Sequence, residues 1–480
     1  MSWEAVIGIE THVELRTDSK MFCGCPVDFG SEPNTNVCPV CLGLPGALPV
    51  PNEKAIEWTM RFGLALDCEI TRESLFHRKN YFYADLPKNY QISQFDLPLC
   101  VGGHLDVITD AGERRIGITR VHLEEDTGKS THLGEGGRIG SSGGALIDFN
   151  RSGIPLMEVV SEPDIRAPEE ARAYAHELRS IVLALGVSDA RLEEGSMRFD
   201  ANISLRPEGS DGLGVKVEVK NMNSLRSLQR ALAHEMERQA AVLDAGGTIT
   251  LETRHWDEEA ERTDAGRSKE ESSDYRYFSE PDLVPLSVGG EEVESLRAGL
   301  PELPAETRAR FAATGVEAVA ARVLVATGLG PLQDDAVAAG APPAEAAKWL
   351  TGEVTAHLNR EGIQAGDVVL GGPDLAELIA MVASGDLSAT AAKQVLDGVL
   401  AGEGSPRPVA ETRDLIQIRD EGALAAAVAA VVEEHPDEMA RIAAGDVKLV
   451  GFLVGRVMQA TGGKADPRRV SELIQEQAAG

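Results

Sequence analysis

The sequence predicts an α+β fold, in which an antiparallel sheet occupies the first part of the chain and helices occupy the rest. Apolar and polar side chains alternate in residues 5–15, 198–206 and 215–220. This alternation is typical of strands with one buried and one solvated face, which are common in antiparallel sheets. From residue 291 onward the chain becomes rich in alanine and leucine with helical periodicity, which predicts an all-α region.

Two helices are predicted within the strand-rich part. One begins near Pro168, carries apolar residues at helical spacing and ends before Gly186. Proline is favoured in the first turn of a helix and glycine directly after its end. The other helix carries apolar residues from Leu225 to Leu243 and ends at a pair of glycines, residues 246 and 247.

The length and the breaks in composition indicate several domains. A chain of 480 residues predicts about two to four of them. The style of the sequence changes after about Pro285, and the segment 402–406 (GEGSP) is typical of a linker. We therefore expect a strand-rich domain at residues 1–290, a helical domain at 291–402 and a small helical tail domain at 406–480.

The charge balance argues against a general nucleic-acid coat. The chain has 46 Lys and Arg residues against 77 Asp and Glu residues, a net charge of −31. Non-specific nucleic-acid binding normally needs net positive surface, although a local basic patch can still hold RNA. The tail carries such a patch, with Asp466 as the only acid within it. Its cations are Lys448, Arg456, Lys464, Arg468 and Arg469.

Nothing in the sequence predicts a membrane span or a secretory signal. No segment approaches the ~20 apolar residues that a transmembrane helix needs. The first residues lack a basic stretch followed by an apolar one. Six cysteines in 480 residues are far too few for a disulfide scaffold. We expect a cytoplasmic protein.

Four of the six cysteines form two close pairs, Cys23 with Cys25 and Cys38 with Cys41. Two short-spaced pairs joined by a loop can supply the four soft ligands of a tetrahedral zinc ion, and such a site is closed and structural. The alternative is four free thiols that happen to lie close together. Glycine and proline turns around both pairs favour the zinc interpretation.

Several acidic residues could hold a second kind of metal. Glu10, His12 and Glu14 share the polar face of one predicted strand, and one or two of them could join carboxylates from other strands, for which the candidates lie in residues 120–126 (RVHLEED) and at Glu158. Glu158 interrupts an otherwise apolar strand, where an unpaired charge would be expensive. Carboxylate oxygens with one imidazole suit Mg²⁺, which usually keeps waters and substrate phosphates. The alternative is a solvated acidic strand face, which is common in so acidic a chain.

The densest run of aromatic and basic residues is residues 78–83 (RKNYFY). Rings beside ammonium groups suit a nucleotide or an RNA end. The alternative is an aromatic cluster at a strand edge with lysines reaching into solvent. A second run, residues 274–278 (DYRYF), has the same ambiguity. The candidate contacts are Arg78, Lys79, Tyr81, Tyr83 and Lys88.

Together these residues resemble a known family, the B subunits of the tRNA-dependent amidotransferases, essentially from end to end. The resemblance depends on long and unusual strings as well as on the cysteine cluster. The strings are residues 9–15 (IETHVEL), 78–83 (RKNYFY), 90–94 (YQISQ), 123–130 (LEEDTGKS), 148–153 (DFNRSG), 161–164 (SEPD), 200–204 (DANIS), 274–278 (DYRYF) and 451–458 (GFLVGRVM).

The resemblance implies a cradle-shaped catalytic domain with a site like that of glutamine synthetase, then a helical domain and a tail that binds tRNA. It implies a kinase that uses ATP and Mg²⁺ to phosphorylate the side-chain carboxylate of Glu or Asp esterified to tRNA. Ammonia then displaces the phosphate, giving Gln-tRNA(Gln) or Asn-tRNA(Asn). The ammonia comes through a tunnel from the family's amidase, the A subunit, which hydrolyses glutamine, and a small C subunit wraps around the other two.

The resemblance also implies roles for single residues. The family's metal ligands match His12, Glu124 and Glu158, with Glu10 alongside. A zinc site is present in only some members, and this sequence keeps all four cysteines. Lys79 is our hypothesis for a phosphate contact.

Two other interpretations stay open at this point. One is a non-catalytic scaffold, stabilised by zinc, that only presents tRNA to a partner. The other is a self-contained amidase whose nucleophile lies in the glycine- and serine-rich segment 140–144. A serine amidase needs a lysine and a second serine in a fixed arrangement, which this segment alone does not establish.

Overall fold

A computed structural model describes residues 2–133, 144–266, 275–418 and 420–479. The chain divides into two compact units, Met1–Pro304 and Ala305–Gly480. Buried apolar side chains form one cluster in the first unit and two in the second, within residues 311–410 and 424–474. These clusters do not define domain limits, so the divisions expected at residues 290, 402 and 406 stay predictions.

The first unit combines many strands with a few helices. Its strands are β1 (Trp3–Glu14), β2 (Glu69–Ile70), β3 (Glu73–Ser74), β4 (His77–Asn80), β5 (Tyr90–Ser93), β6 (Cys100–Val101), β7 (His104–Thr109), β8 (Gly112–Glu125), β9 (Lys129–Leu133), β10 (Gly144–Asp148), β11 (Pro155–Ser161), β12 (Met197–Pro207), β13 (Val217–Lys220), β14 (Glu252–Asp257), β15 (Arg262–Ala265), β16 (Phe278–Ser279) and β17 (Leu286–Ser287). Its helices are α1 (Glu53–Ala65), α2 (Pro168–Leu185), α3 (Leu225–Asp244) and α4 (Gly290–Ala298). The α+β class that the sequence predicts is confirmed.

Helices are the only regular secondary structure in the described residues of the second unit. A π-helical turn, Leu350–Val354, lies between two of its α-helices, and short 3₁₀ turns cover Ala365–Asp367 and Val447–Leu449. None of the described helices in either unit is long and apolar enough to cross a membrane. The α-helices are α5 (Pro304–Ala313), α6 (Ala318–Ala326), α7 (Gly330–Ala338), α8 (Pro343–Trp349), α9 (Thr355–Glu361), α10 (Gly372–Ala383), α11 (Ala389–Leu400), α12 (Pro406–Thr412), α13 (Glu421–Glu434), α14 (Pro436–Ala443), α15 (Val450–Ala460) and α16 (Pro467–Ala479).

One large sheet dominates the first unit. Its strand order is β15-β14-β13-β12-β1-β11-β8-β6-β2, and β7 also pairs with β8. All of these pairs are antiparallel except β13 with β14. The sheet is therefore mixed, whereas the alternation predicts an antiparallel sheet. The exception arises because α3 connects β13 to β14, and a helical crossover returns the chain in the same direction.

Helices cover the apolar face of this sheet and leave a polar face for chemistry. Ile7 of β1, Ile203 of β12, Leu178 of α2 and Leu228 of α3 belong to one buried apolar cluster. Side chains two apart on a strand point to the same face, so the polar residues 10, 12 and 14 of β1 lie opposite Ile7. Helix α2 begins at Pro168 as predicted and ends before Gly186, whose φ of 67° is a left-handed cap.

We expect Ile7→Ala to lower the free energy of unfolding of the first unit by about 2–5 kcal/mol, because a fully buried side chain would leave a cavity. Urea unfolding followed by tryptophan fluorescence measures this, since residues 3, 58 and 256, three of the four tryptophans, lie in that unit. Ile108→Ala is the control, because Ile108 is 58% exposed and should change stability by less than about 0.5 kcal/mol. Equal effects of the two substitutions would contradict the assignment of Ile7 to the core.

Candidate active site

Three neighbouring strands place an acid between two imidazoles at the centre of the large sheet. His12 of β1 pairs with Glu158 of β11, and Glu158 pairs with His122 of β8. Directly paired residues of antiparallel strands point to the same face, so the three side chains meet. The Nε2 atom of His12 lies 3.6 Å from Oε2 of Glu158, and that of His122 lies 3.3 Å from the same oxygen.

Glu124 of β8 completes a cluster with His12 and Glu158. One ligand atom from each of the three residues lies within 4.8 Å of the other two. Glu124 is 3% exposed and its Oε2 accepts a hydrogen bond from Ser93 Oγ at 3.1 Å, while Glu158 is 8% exposed. Two carboxylates and one imidazole are a donor set that fits a divalent cation, and the structure brings together all three residues that the family resemblance implies as ligands.

The charges of this cluster are strongly coupled. Burial alone would raise the pKa of Glu158, but His122 and His12 hold it well below its usual value. Burial alone would lower the pKa of His12, but Glu158, and then Glu124 and Asp200, raise it to about 9. A histidine must be neutral to bind a metal ion, so a cation bound here would displace the extra proton of His12.

Lys79 of β4 brings a positive charge to the same carboxylates. Burial alone would lower the pKa of its ammonium, but Glu124, and then Tyr277 and Glu158, raise it above its ordinary value. The Nζ atom lies 5.0 Å from the ring centroid of Tyr275 and 5.9 Å from that of Tyr81. A charged lysine framed by aromatic rings is therefore placed next to the acidic cluster.

The other residues of the 78–88 segment have different surroundings. Arg78 Nε donates to Glu280 Oε2 at 2.6 Å and Nη2 donates to Oε1 at 2.8 Å, so this guanidinium is held by a buried carboxylate. Lys88 is paired with buried Glu125. The hydroxyl of Tyr81 donates to a glutamine, residue 91, at 3.2 Å, whereas Tyr83 is 69% exposed. The structure thus brings Lys79 and Tyr81 towards the cluster and binds Arg78 and Lys88 elsewhere.

Glu10 belongs to a second acidic cluster, beside the first. Oxygen atoms of Glu10, Asp200 and Glu218 lie within 4.8 Å of one another. Lys220 neutralises part of their charge, with Nζ 2.5 Å from Asp200 Oδ2 and 3.3 Å from Glu218 Oε1. Asn202 Nδ2 donates to Glu10 Oε1 at 3.1 Å. Sequence reasoning missed Asp200, Asn202, Glu218 and Lys220 as site residues, although residues 198–206 and 215–220 both stood out as strands.

A third group of charges extends the polar face towards β12. Arg198 pairs with His12 in the register of β12 and β1. Its Nη2 donates to Asp126 Oδ2 at 2.9 Å, and its Nη1 lies 3.6 Å from Glu14 Oε1. Burial, and then the negative charge of Asp126, raise the pKa of Glu14 to about 9, while, despite burial, Arg198 and Arg151 hold the pKa of Asp126 well below its usual value. Only the strand register, which alternation does not give, could have identified Arg198.

The four clustered cysteines lie close to one another. Their Sγ atoms are all within 4.8 Å of one another, and none of them forms a disulfide. The backbone N–H of Cys38 donates to Cys41 Sγ at 3.1 Å. Four sulfur atoms at this separation fit a tetrahedral metal ion of the zinc type. A cavity of about 100 Å³ adjoins the cluster, and Cys23, Cys41, Lys88 and Glu125 are among its lining residues.

The predicted RNA contacts of the tail differ in their surroundings. Arg469 is bound by Glu421, Glu472 and Glu476, and Lys464 is bound by Asp414. Arg456 packs over a phenylalanine, residue 452, at 5.4 Å and donates to a glutamine, residue 459, at 3.4 Å. Lys448 and Arg468 make no ion pair within the part of the tail that the structure describes.

The segment proposed for an amidase nucleophile, residues 140–144, lies outside the described residues except for Gly144. Strand β10 begins at Gly144. Asp274 of the second aromatic run lies outside them as well, while Tyr275 and Tyr277 are described and line the site of Lys79.

Comparison with known proteins identifies the family. Residues 5–294 match the family described as the GatB/GatE catalytic domain, and residues 332–477 match the GatB domain. A curated protein of Frankia casuarinae, named as the B subunit of aspartyl/glutamyl-tRNA(Asn/Gln) amidotransferase, is 53% identical over 99% of this chain and 95% of its own length. Proteins with the same name are 49% identical in a Nocardioides species, over 100% of this chain and 97% of theirs, and 47% identical in Brevibacillus brevis, over 99% and 98%. With both domains matched and half of the residues shared from end to end, the chain belongs to the family of aspartyl/glutamyl-tRNA amidotransferase B subunits.

Proposed function

We propose that the chain is the ATP-dependent subunit of a tRNA-dependent amidotransferase, a ligase of protein biosynthesis. It phosphorylates the side-chain carboxylate of Glu-tRNA(Gln) or Asp-tRNA(Asn). Ammonia released from glutamine by a separate amidase subunit then displaces the phosphate, giving Gln-tRNA(Gln) or Asn-tRNA(Asn). The observation that carries the proposal is the cluster of half-buried His12 with buried Glu124 and Glu158 beside the ammonium of Lys79.

The reaction explains why this cluster is acidic. A carboxylate is a poor acyl donor because its leaving group would be oxide, and phosphorylation supplies a good one. We assign His12, Glu124 and Glu158 as the residues that would hold Mg²⁺, with Glu10 alongside. When bound, Mg²⁺ neutralises charge that builds up on the transferred phosphoryl group.

The chain's own side chains perform the remaining tasks. Lys79 is fixed between tyrosine rings and carries a positive charge next to Glu124, so it can contact a phosphate without further rearrangement. Tyr81 and exposed Tyr83 offer ring faces to a nucleotide or an RNA end. Arg78 and Lys88, which the sequence also suggests as contacts, would act by holding Glu280 and Glu125 in place.

We propose that the four cysteines hold a structural zinc ion. Four thiolates leave no open coordination position, so this metal would stabilise the loop and not take part in the reaction. The segment between the two pairs is rich in proline and exposed residues, and it contributes little to the apolar core. A bound metal ion would therefore stabilise this loop, which few buried apolar side chains hold in place.

The partners that we propose follow from the family. The amidase, or A subunit, would deliver ammonia, a small C subunit would complete the complex, and misacylated tRNA(Gln) or tRNA(Asn) would be the substrate, all in the cytoplasm. The cations at 448–469 would contact the tRNA at the tail. We also propose that the catalytic domain is cradle-shaped and that its site is like that of glutamine synthetase. A scaffold that only presents tRNA would have no use for two buried carboxylates beside a half-buried lysine, which cost free energy to place together.

We expect Glu158→Gln to lower the rate of phosphate release from ATP in the presence of Glu-tRNA(Gln) by at least about a hundredfold, because a metal ligand and its charge are lost. Glutamine hydrolysis by the amidase in the same complex should stay normal. Glu162→Gln, which changes an exposed acid just beyond the same strand, should leave both rates unchanged. A normal rate of phosphate release by Glu158→Gln would show that the metal assignment is wrong.

Cys38→Ser should reduce bound zinc from one ion per chain to near zero, because a three-thiolate site binds the metal less tightly. Elemental analysis of the purified complex by mass spectrometry measures this. Cys68→Ser is the matched control, since Cys68 is a buried thiol that donates to the carbonyl of Gly102 outside the cluster. Full retention of zinc by Cys38→Ser would overturn the zinc proposal.

Arg468→Ala should weaken tRNA binding and reduce the slope of log affinity against log salt by about 1, as expected for one lost phosphate contact. Arg441→Ala is the control, because this exposed tail arginine is paired with Asp446 and lies outside the basic run. Filter binding at several salt concentrations gives both slopes. If the two variants behave alike, the tail patch does not bind tRNA.

A further inference from the structure

Lys20 is a lysine with no access to solvent beside the cysteine cluster. It is 1% exposed and is among the largest fully buried side chains of the protein. Its Nζ donates to the backbone carbonyls of Asn36 at 2.7 Å and Phe149 at 3.3 Å, and to Cys41 Sγ at 3.8 Å. The sequence places it three residues before Cys23, where nothing in its pattern distinguished it from a surface lysine.

A buried ammonium needs a negative charge close by. Carbonyl oxygens accept its hydrogen bonds but leave its charge uncompensated, and an unpaired buried charge is expensive. Within the described residues, no carboxylate forms an ion pair with Lys20. Among its three described hydrogen-bond partners, the one that can become an anion is the sulfur of Cys41.

The cysteine cluster has the complementary problem. Four thiolates around one Zn²⁺ carry a net charge of 4 × (−1) + 2 = −2, and Cys41 is itself buried. Hydrogen bonds from outside the ligand set stabilise such thiolates and orient them. Cys41 receives one from the N–H of Cys38 at 3.1 Å and one from the ammonium of Lys20.

We propose that Lys20 is the counter-ion of the zinc–thiolate cluster and a positioning residue for Cys41. This inference rests on the proposed zinc site. The ammonium reduces the net charge of the cluster from −2 to −1, and the thiolate of Cys41 in turn compensates the charge of the buried lysine.

The same ammonium links the loop that carries the cysteines to neighbouring segments of the chain. Asn36 lies between the two cysteine pairs, and Phe149 belongs to the segment after β10. The backbone N–H of Lys20 donates to the carbonyl of Cys25 at 2.9 Å, and that of Asn36 donates to Asn150 Oδ1 at 2.8 Å. Removing the ammonium therefore removes both a charge and a link between three segments.

The test measures how fast zinc leaves the protein. In the assembled complex, Lys20→Met, which keeps the chain length without the charge, should release zinc to a chromophoric chelator about 10–100-fold faster than the unsubstituted protein. Lys54→Met is the control, because Lys54 is an exposed lysine of the nearby helix α1 and is paired with Glu57. The Lys54→Met variant should release zinc at the normal rate. With Co²⁺ in place of zinc, the sulfur-to-metal charge-transfer band should shift in Lys20→Met and not in Lys54→Met.

The outcomes separate this inference from the zinc proposal. If the unsubstituted protein binds zinc and Lys20→Met releases it at the same rate with an unshifted cobalt band, the counter-ion role is wrong and the zinc site stands. If the unsubstituted protein binds no zinc, both proposals fail. Should Lys20→Met not fold, Lys20→Gln keeps a hydrogen-bond donor without the charge, and release as slow as normal would overturn the inference.

Discussion

In the centre of the large sheet, the carboxylate of Glu158 is shared by the imidazoles of His12 and His122, one from each neighbouring strand. This contact exists because β1, β11 and β8 pair in one register. A shift of one residue in either pair would turn the acid towards the apolar core and the core residues towards the site. The burial of Ile7 and its neighbours therefore holds the acidic cluster together from the opposite face of the same strands.

The cysteine cluster depends on the same region through short backbone links. The N–H of Met21 donates to the carbonyl of Gly153 at 2.7 Å, and the N–H of Gly153 donates to the carbonyl of Asp126 at 2.9 Å. Asp126 is the acid that binds Arg198, next to the cluster of His12, Glu124 and Glu158. Order in the cysteine loop and order on the polar face of the sheet are thus coupled by a chain of hydrogen bonds. In this arrangement a structural metal would support chemistry that it does not touch.

Much of the fold follows from local patterns. Alternation located β1, β12 and β13, and proline and glycine located both ends of α2, because these signals depend on neighbours in the chain. The parallel pairing of β13 with β14 did not follow, since it depends on where α3 returns the chain. Of the expected site residues, His12, Glu124 and Glu158 lie together, while Arg78, Lys88 and Arg469 are bound by acids that no spacing argument had connected with them.

The sequence by itself determined the residue types of the site, the face of β1 on which Glu10 and His12 lie, the four sulfur donors and the family. The tertiary structure decided which of the many charges remain available and which are already paired, including Lys20 with Cys41 and Lys220 with Asp200. The physical reason is that period-two alternation specifies a face but not a register. Partners across the sheet, such as His12 and Glu158, are far apart in the chain, and only the packed core brings them into contact.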